Sequence, residues 1–195
     1  MKKLSLLLEQ RSWNELNEDV GKIFNFLKKN GIKKKDRIVA YMPNVIETVE
    51  AFLASVSLGA IWSSCSPDFG IRGAVERFSQ IKPKVLFVTD IYFYNGKKIN
   101  ILERIPKNIP SVKHVIITKY PGQDNFVKKY NYKNIKIYNW NDLIKSKISK
   151  INFSKFDFEH DLAILYSSGT TGKPKCICHR TGGILLQHKK EHQLH

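Results

Sequence analysis

Short apolar runs alternating with helix-patterned stretches place the first constraint on this chain. Residues 37–42, 60–64, 85–89, 112–118 and 162–166 each have strand length and strand-like composition. Between several of them lie segments of helical length, so each strand is expected to return parallel to an earlier one through a crossover. The pattern predicts an α/β fold: a mostly parallel sheet with flanking helices. The first helix should start at an N-cap Ser12, carry Leu16, Val20, Ile23, Phe24 and Leu27 on one stripe, and stop at Gly31. Further helices are expected over 45–58, near 73–80, near 98–105, near 141–147 and from about Gly182. A polar surface loop is expected over 121–136, with a short strand at 135–138.

The 195 residues, 42% hydrophobic, suffice for one sizeable core, and one domain or most of one is the expectation. No stretch approaches the roughly 20 consecutive apolar residues of a membrane-spanning helix. The opening residues run from Leu6, Leu7 and Leu8 straight into Glu9, Gln10 and Arg11, so neither a signal peptide nor a membrane partner is expected. Cys65, Cys176 and Cys178 are odd in number, and the last pair brackets one residue, which suits neither a disulfide framework nor zinc spacing. They read as reduced thiols of a cytoplasmic protein. A net charge of +16 would attract phosphate-bearing partners. Its lysines are scattered, however, and the aromatics beside them form no stacking platform, so no nucleic-acid partner is expected.

The apolar run 162–166, the best candidate for a buried strand in the chain, delivers the backbone into Ser167, Ser168, Gly169, Thr170, Thr171, Gly172, Lys173, Pro174 and Lys175. Two glycines free the main chain to turn N–H groups toward an anion, four hydroxyls add donors, and two lysines add charge. A triphosphate fits that chemistry. The Walker spacing is absent, because two residues separate Gly169 from Gly172 and Pro174 follows Lys173. Pro174 biases Lys173 toward extended backbone, which predicts a returning strand over 175–179 and places the loop between two strands.

Residues 166–175 resemble the signature of the AMP-forming adenylating superfamily, which includes acyl-CoA synthetases, luciferases and the adenylation domains of peptide synthetases. Residues 59–70, 77–84, 94–98, 174–179 and 182–192 are similar to the acetoacetate-activating acyl-CoA synthetases, so the resemblance covers nearly the whole chain. It implies that residues 1–195 form the front part of the large N-terminal domain of an adenylating enzyme, with the mobile C-terminal domain outside them. The implied chemistry is ATP and Mg2+ converting acetoacetate to acetoacetyl-AMP and pyrophosphate, after which coenzyme A displaces AMP.

By motif matching, Ser168, Thr170 and Thr171 would donate to the β- and γ-phosphates and Gly169 and Gly172 would allow close approach. Lys173 and Lys175 would offset charge, with Ser167 opening the loop. Tyr94, Asn95, Gly96 and Lys97 are similar to a basic glycine segment that contacts the nucleotide end of coenzyme A, with Tyr94 and Lys97 standing where arginines occur. Lysine there acts as a point charge toward a phosphate and lacks the fork of guanidinium. No catalytic residue beyond the phosphate loop and no metal ligand is carried over, and residues 1–195 alone are expected to turn over no acetoacetate. Two other readings stay open: a ligase for another short acyl acid of acetyl or propionyl type, and a non-enzymatic phosphate- or nucleic-acid-binding remnant.

His188 and His192 have the i, i+4 spacing of a helical metal site, yet Lys189 stands where a general-base glutamate would. Cys176 and Cys178 should point to one face of their strand as small buried groups. Trp62 and Phe69 read as core aromatics. A sheet edge or apolar face left open is the remaining expectation.

Overall fold

The computed structural model describes residues 10–102, 106–120, 132–146, 151, 153–167 and 172–194. Helix α1 (Trp13–Lys29) begins in a capping box: the Ser12 hydroxyl accepts from the Glu15 backbone N–H at 3.2 Å, and the Glu15 carboxylate accepts from the Ser12 N–H at 2.7 Å. Its apolar stripe, Val20, Ile23, Phe24 and Leu27, is buried. After a left-handed Gly31 come β1 (Arg37–Tyr41), α2 (Ile46–Ser57), β2 (Ile61–Cys65), a 3₁₀ turn (Pro67–Phe69), α3 (Gly70–Ile81) and β3 (Val85–Thr89).

Then follow a hairpin of β4 (Ile91–Tyr94) and β5 (Lys97–Asn100), β6 (His114–Thr118), β7 (Lys136–Asn139) and α4 (Trp140–Ile144). The described chain closes with β8 (Asp161–Ser167), β9 (Lys175–Arg180) and α5 (Thr181–Leu194).

Among the described residues seven strands form one sheet in the order β7-β6-β3-β1-β2-β8-β9. Every neighbouring pair is parallel except β8 and β9. The mostly parallel sheet with flanking helices agrees with the sequence expectation, because β1 and β3 are buried along nearly their full length, as strands covered on both faces must be. One face carries Ile38, Ala40, Trp62, Val85, Phe87 and Ile116 against α1, α2 and α4. The other carries Val39, Tyr41, Cys65, Leu86, Val88 and Ile117 against α3 and against Ile101, Leu102, Ile109 and Val112.

Four expectations need correction. Where a helix was expected near 98–105, residues 97–100 are the second strand of a hairpin, and 103–105 lie outside the described residues. The cause is the turn: Asn95 and Gly96 sit at φ 47° and 73°, the pair of left-handed residues that a two-residue hairpin needs, and Tyr94 pairs with Lys97 across it. Strand β8 was expected to be deeply buried, but Leu165 is 47% exposed because only the edge strand β9 lies beyond it. Cys176 and Cys178 are exposed for the same reason, being on that edge strand, although they do share one face. Phe69 lies on the 3₁₀ turn, exposed to solvent, whereas Trp62 is buried. The expected loop over 121–136 falls mostly outside the described residues, as do all but the last five of its positions.

Candidate functional site

Strands β1, β2, β3 and β8 run in one direction, so their carboxyl ends share one edge of the sheet, the edge at which open α/β sheets bind ligands. At that edge β8 gives way to the candidate anion loop. Ser167 and Lys175 form the last register pair of the β8–β9 ladder, so the loop between them is closed at its base by strand pairing. This is the strand–loop–strand arrangement that Pro174 implied. Gly172 adopts φ 107°, a conformation an L side chain would strain, and is exposed. Lys173 and Lys175 are also exposed, and neither has an ion-pair partner among the described residues, so their charge is free for an anion. Ser168, Gly169, Thr170 and Thr171 lie outside the described residues.

Behind the loop the packing is specific. Tyr166, next to Ser167, points to the α3 face and its hydroxyl lies 3.3 Å from Ser63 Oγ; burial pushes its phenol up to about 12. The Arg77 guanidinium of α3 stacks on Phe69 at 4.4 Å from the ring centroid and reaches within 5.9 Å of the Tyr166 ring. Gln80, one turn on, donates from Nε2 to the Pro174 carbonyl at 3.1 Å. Sequence reading missed Arg77 and Gln80 as site residues. Their spacing on α3 was visible, but their partners are about ninety residues away.

The segment Tyr94, Asn95, Gly96 and Lys97 forms the exposed tip of the β4–β5 hairpin. A hydrogen bond of 2.5 Å from the Tyr92 hydroxyl to Asp68 ties the hairpin to the turn that starts α3. That bond, with another from Ser66, holds the Asp68 carboxyl below its usual range, and its first effect on Tyr92 is to push the phenol up to about 12.

The edge-strand cysteines offer little nucleophilic character: partial desolvation by neighbouring groups, reinforced by Asp161, pushes Cys178 up to about 11, and partial desolvation also raises Cys176, though both side chains are exposed. Among the described residues no group of three His, Cys, Asp or Glu could hold a metal, and no helix is long and apolar enough to cross a membrane.

Comparison with known proteins places this geometry in context. The family model described as AMP-binding enzyme matches residues 5–193. An acetoacetyl-CoA synthetase of Gallus gallus is 43% identical over 190 residues, covering 94% of this chain and 28% of that protein. An acetoacetyl-coenzyme A synthetase of Rhizobium meliloti is 40% identical over 185 residues, with the same two shares of 94% and 28%. The solved acetoacetyl-CoA synthetase from Streptomyces lividans superposes with a TM-score of 0.79 at 34% identity, covering 91% of this chain and 26% of that one. The chain thus spans little more than a quarter of the length of the relatives it matches. The family match runs through the β8–loop–β9 unit and nearly everything that supports it, and on that ground the chain belongs to the AMP-binding enzyme family.

Proposed function

We propose that these residues are the part of an acetoacetate–CoA ligase that receives the triphosphate of ATP. The observation that carries the reading is the loop closed by Ser167 and Lys175 at the carboxyl edge of the sheet, with two lysines at its exit that have no ion-pair partner among the described residues. In the whole protein, ATP would be attacked at its α-phosphate by the acetoacetate carboxylate, giving acetoacetyl-AMP and pyrophosphate. The coenzyme A thiol would then form the thioester and release AMP. The hydroxyls and main-chain N–H groups of residues 167–172 would donate to the β- and γ-phosphates, while Lys173 and Lys175 offset the charge that accumulates on departing pyrophosphate.

No group of three metal-ligating side chains occurs among the described residues, and magnesium enters this reading as the companion of ATP with no residue assigned to it. Lys97 at the hairpin tip is proposed to meet a phosphate of coenzyme A. A reducing cytoplasmic setting suits three free thiols.

Acetoacetate is favoured over another short acyl acid by the relatives named above, two acetoacetyl-CoA synthetases at 40% identity or more and one solved at 34%. Residues 1–195 alone are expected to form no acetoacetyl-AMP, since they match only 28% of the length of the Gallus gallus relative and a near-attack geometry must hold the carboxylate against the α-phosphate. Titration calorimetry tests the core of the proposal. The chain should bind ATP and tripolyphosphate, and Lys175→Ala should weaken both by roughly tenfold through loss of a charge-assisted contact. Equal affinity in the variant, or tighter binding of DNA than of ATP, would refute it.

A further inference from the structure

Helix α3 approaches the loop from the second face of the sheet with two side chains three residues apart. At the exit, Gln80 Nε2 donates to the carbonyl of Pro174 at 3.1 Å, and Gln80 Oε1 lies 3.8 Å from Cys176 Sγ, within reach of the thiol proton. At the entry, the Arg77 guanidinium is held by Phe69 on one side, comes within 5.9 Å of the Tyr166 ring, and is anchored to its own helix by a 2.9 Å bond from Nη1 to the Gly73 carbonyl. Tyr166 and Cys176 are themselves a register pair. Tyr166 before the loop and Pro174 and Cys176 after it therefore all meet the same helix.

We infer that Gln80 and Arg77 are positioning residues that brace the loop, an inference resting on the triphosphate reading above. Pro174 has no N–H, so its carbonyl is its only main-chain handle, and it lies beyond the last ladder pair, where strand pairing no longer fixes it. Holding that carbonyl fixes the peptide between Lys173 and Lys175, the two residues whose charge must converge on the anion. A loop with a left-handed, exposed Gly172 otherwise loses conformational entropy on binding, and a brace present before the ligand arrives removes part of that cost. Neither side chain needs to touch the phosphate for this to work.

The test uses the chain in three forms: unaltered, Gln80→Met, which keeps length and helix propensity while removing the contacts to Pro174 and Cys176 together with the 2.9 Å bond from Nε2 to the Glu76 carbonyl of the same helix, and Arg77→Lys, which keeps the charge and weakens the stacking. Two readouts are taken beside the melting temperature: trypsin cleavage after Lys175, followed by mass spectrometry, and tripolyphosphate affinity across a salt series. Losing one partly exposed hydrogen-bonding contact predicts cleavage on the order of threefold faster and affinity weaker by a similar factor in Gln80→Met. The melting temperature and the salt dependence should stay those of the unaltered chain, because no charge that meets the anion has been removed. Arg77→Lys should shift both readouts in the same direction.

Unchanged cleavage and affinity in Gln80→Met overturn the brace, as does a loss that merely follows a fall in melting temperature. Failure of the unaltered chain to bind tripolyphosphate would instead remove the triphosphate reading, while the cleavage rates would still decide whether α3 restrains the loop.

Discussion

Ser63 on β2 and Tyr166 on β8 meet with their hydroxyls 3.3 Å apart, and Ser63 Oγ also donates to the Ile164 carbonyl at 2.7 Å. Strand β8 shares a single described register pair with β2, Trp62 with Ala163, so these side-chain bonds supplement a sparse ladder at the point where the sheet hands over to the anion loop. The stem of the loop is thereby tied to the central strands rather than hanging from β9 alone.

Replacing Ser63 by alanine should therefore cost about 1–2 kcal/mol, since it strands the Ile164 carbonyl and one partner of Tyr166 in a largely dry interface. Urea unfolding should show a lower midpoint with an unchanged slope. A midpoint equal to that of the unaltered chain would show that β8 is held without Ser63.

Glu50 on α2 predicts a pH dependence of stability. Its side chain is 1% exposed, with Arg11 Nε 3.9 Å from Oε1 and no hydrogen bond to that oxygen. Burial pushes the carboxyl up to about 7; Asp19 and Glu47 add to the shift, and Arg11 and Lys22 oppose it. The folded chain thus holds this proton more tightly than the unfolded chain. The resulting stabilisation is complete below about pH 4.5 and disappears as pH rises through about 7. The stability of Glu50→Gln minus that of the native chain should rise by about 2–3 kcal/mol from pH 4 to pH 8. A difference that stays flat across that range would contradict the assignment.

Gly59 occupies φ 76°, and a Cβ there would fall 2.6 Å from Phe156 Cε1, whose ring stacks on buried His160 at 4.6 Å between centroids. Gly59→Ala should lower stability by at least about 1–2 kcal/mol from the backbone conformation alone. Phe156→Ala removes the collision but not the strain, so in that background Gly59→Ala should cost only the backbone contribution. Thermal unfolding of both single variants and the double variant separates the two.

Lys97 should be felt through the phosphates of coenzyme A. In the whole protein, Lys97→Ala is expected to raise the Michaelis constant for coenzyme A several-fold while leaving that for ATP unchanged, through loss of one point charge on a phosphate. With dephospho-coenzyme A the native protein and the variant should behave alike if the 3′-phosphate is the group contacted. Equal constants for coenzyme A in both proteins would remove the hairpin tip from the site.

Strand β9 is one of the two outer strands of the seven-stranded sheet, and Ile177 on it is 46% exposed beside Leu165 at 47%. Among the described residues no strand pairs with its outer edge, and an apolar edge of this kind templates further strand pairing. Residues 1–195 should self-associate with rising concentration, and Ile177→Lys should shift sedimentation velocity profiles toward monomer. Monomeric behaviour of the unaltered chain throughout would show that the edge is already shielded.

Much of this molecule was legible in local pattern. Ser12 and Glu15 announced the start of α1, Gly31 its end, and the apolar runs the strands, because caps and periodicity act within a few residues. Pro174 likewise foretold that the glycine-rich loop returns as a strand. The helix mistakenly expected near 98–105 shows the limit of such reading. Asn95 and Gly96 carried the hairpin signal, but apolar Ile99, Ile101 and Leu102 suit either period.

Only the tertiary structure decided that β1 lies between β3 and β2, that Cys176 and Cys178 sit on an edge strand and face solvent, and that Gln80 reaches Pro174. Burial and long-range hydrogen bonds depend on what another part of the chain places opposite a residue. A residue's own neighbours in sequence carry the pattern of its element, but not the identity of that partner.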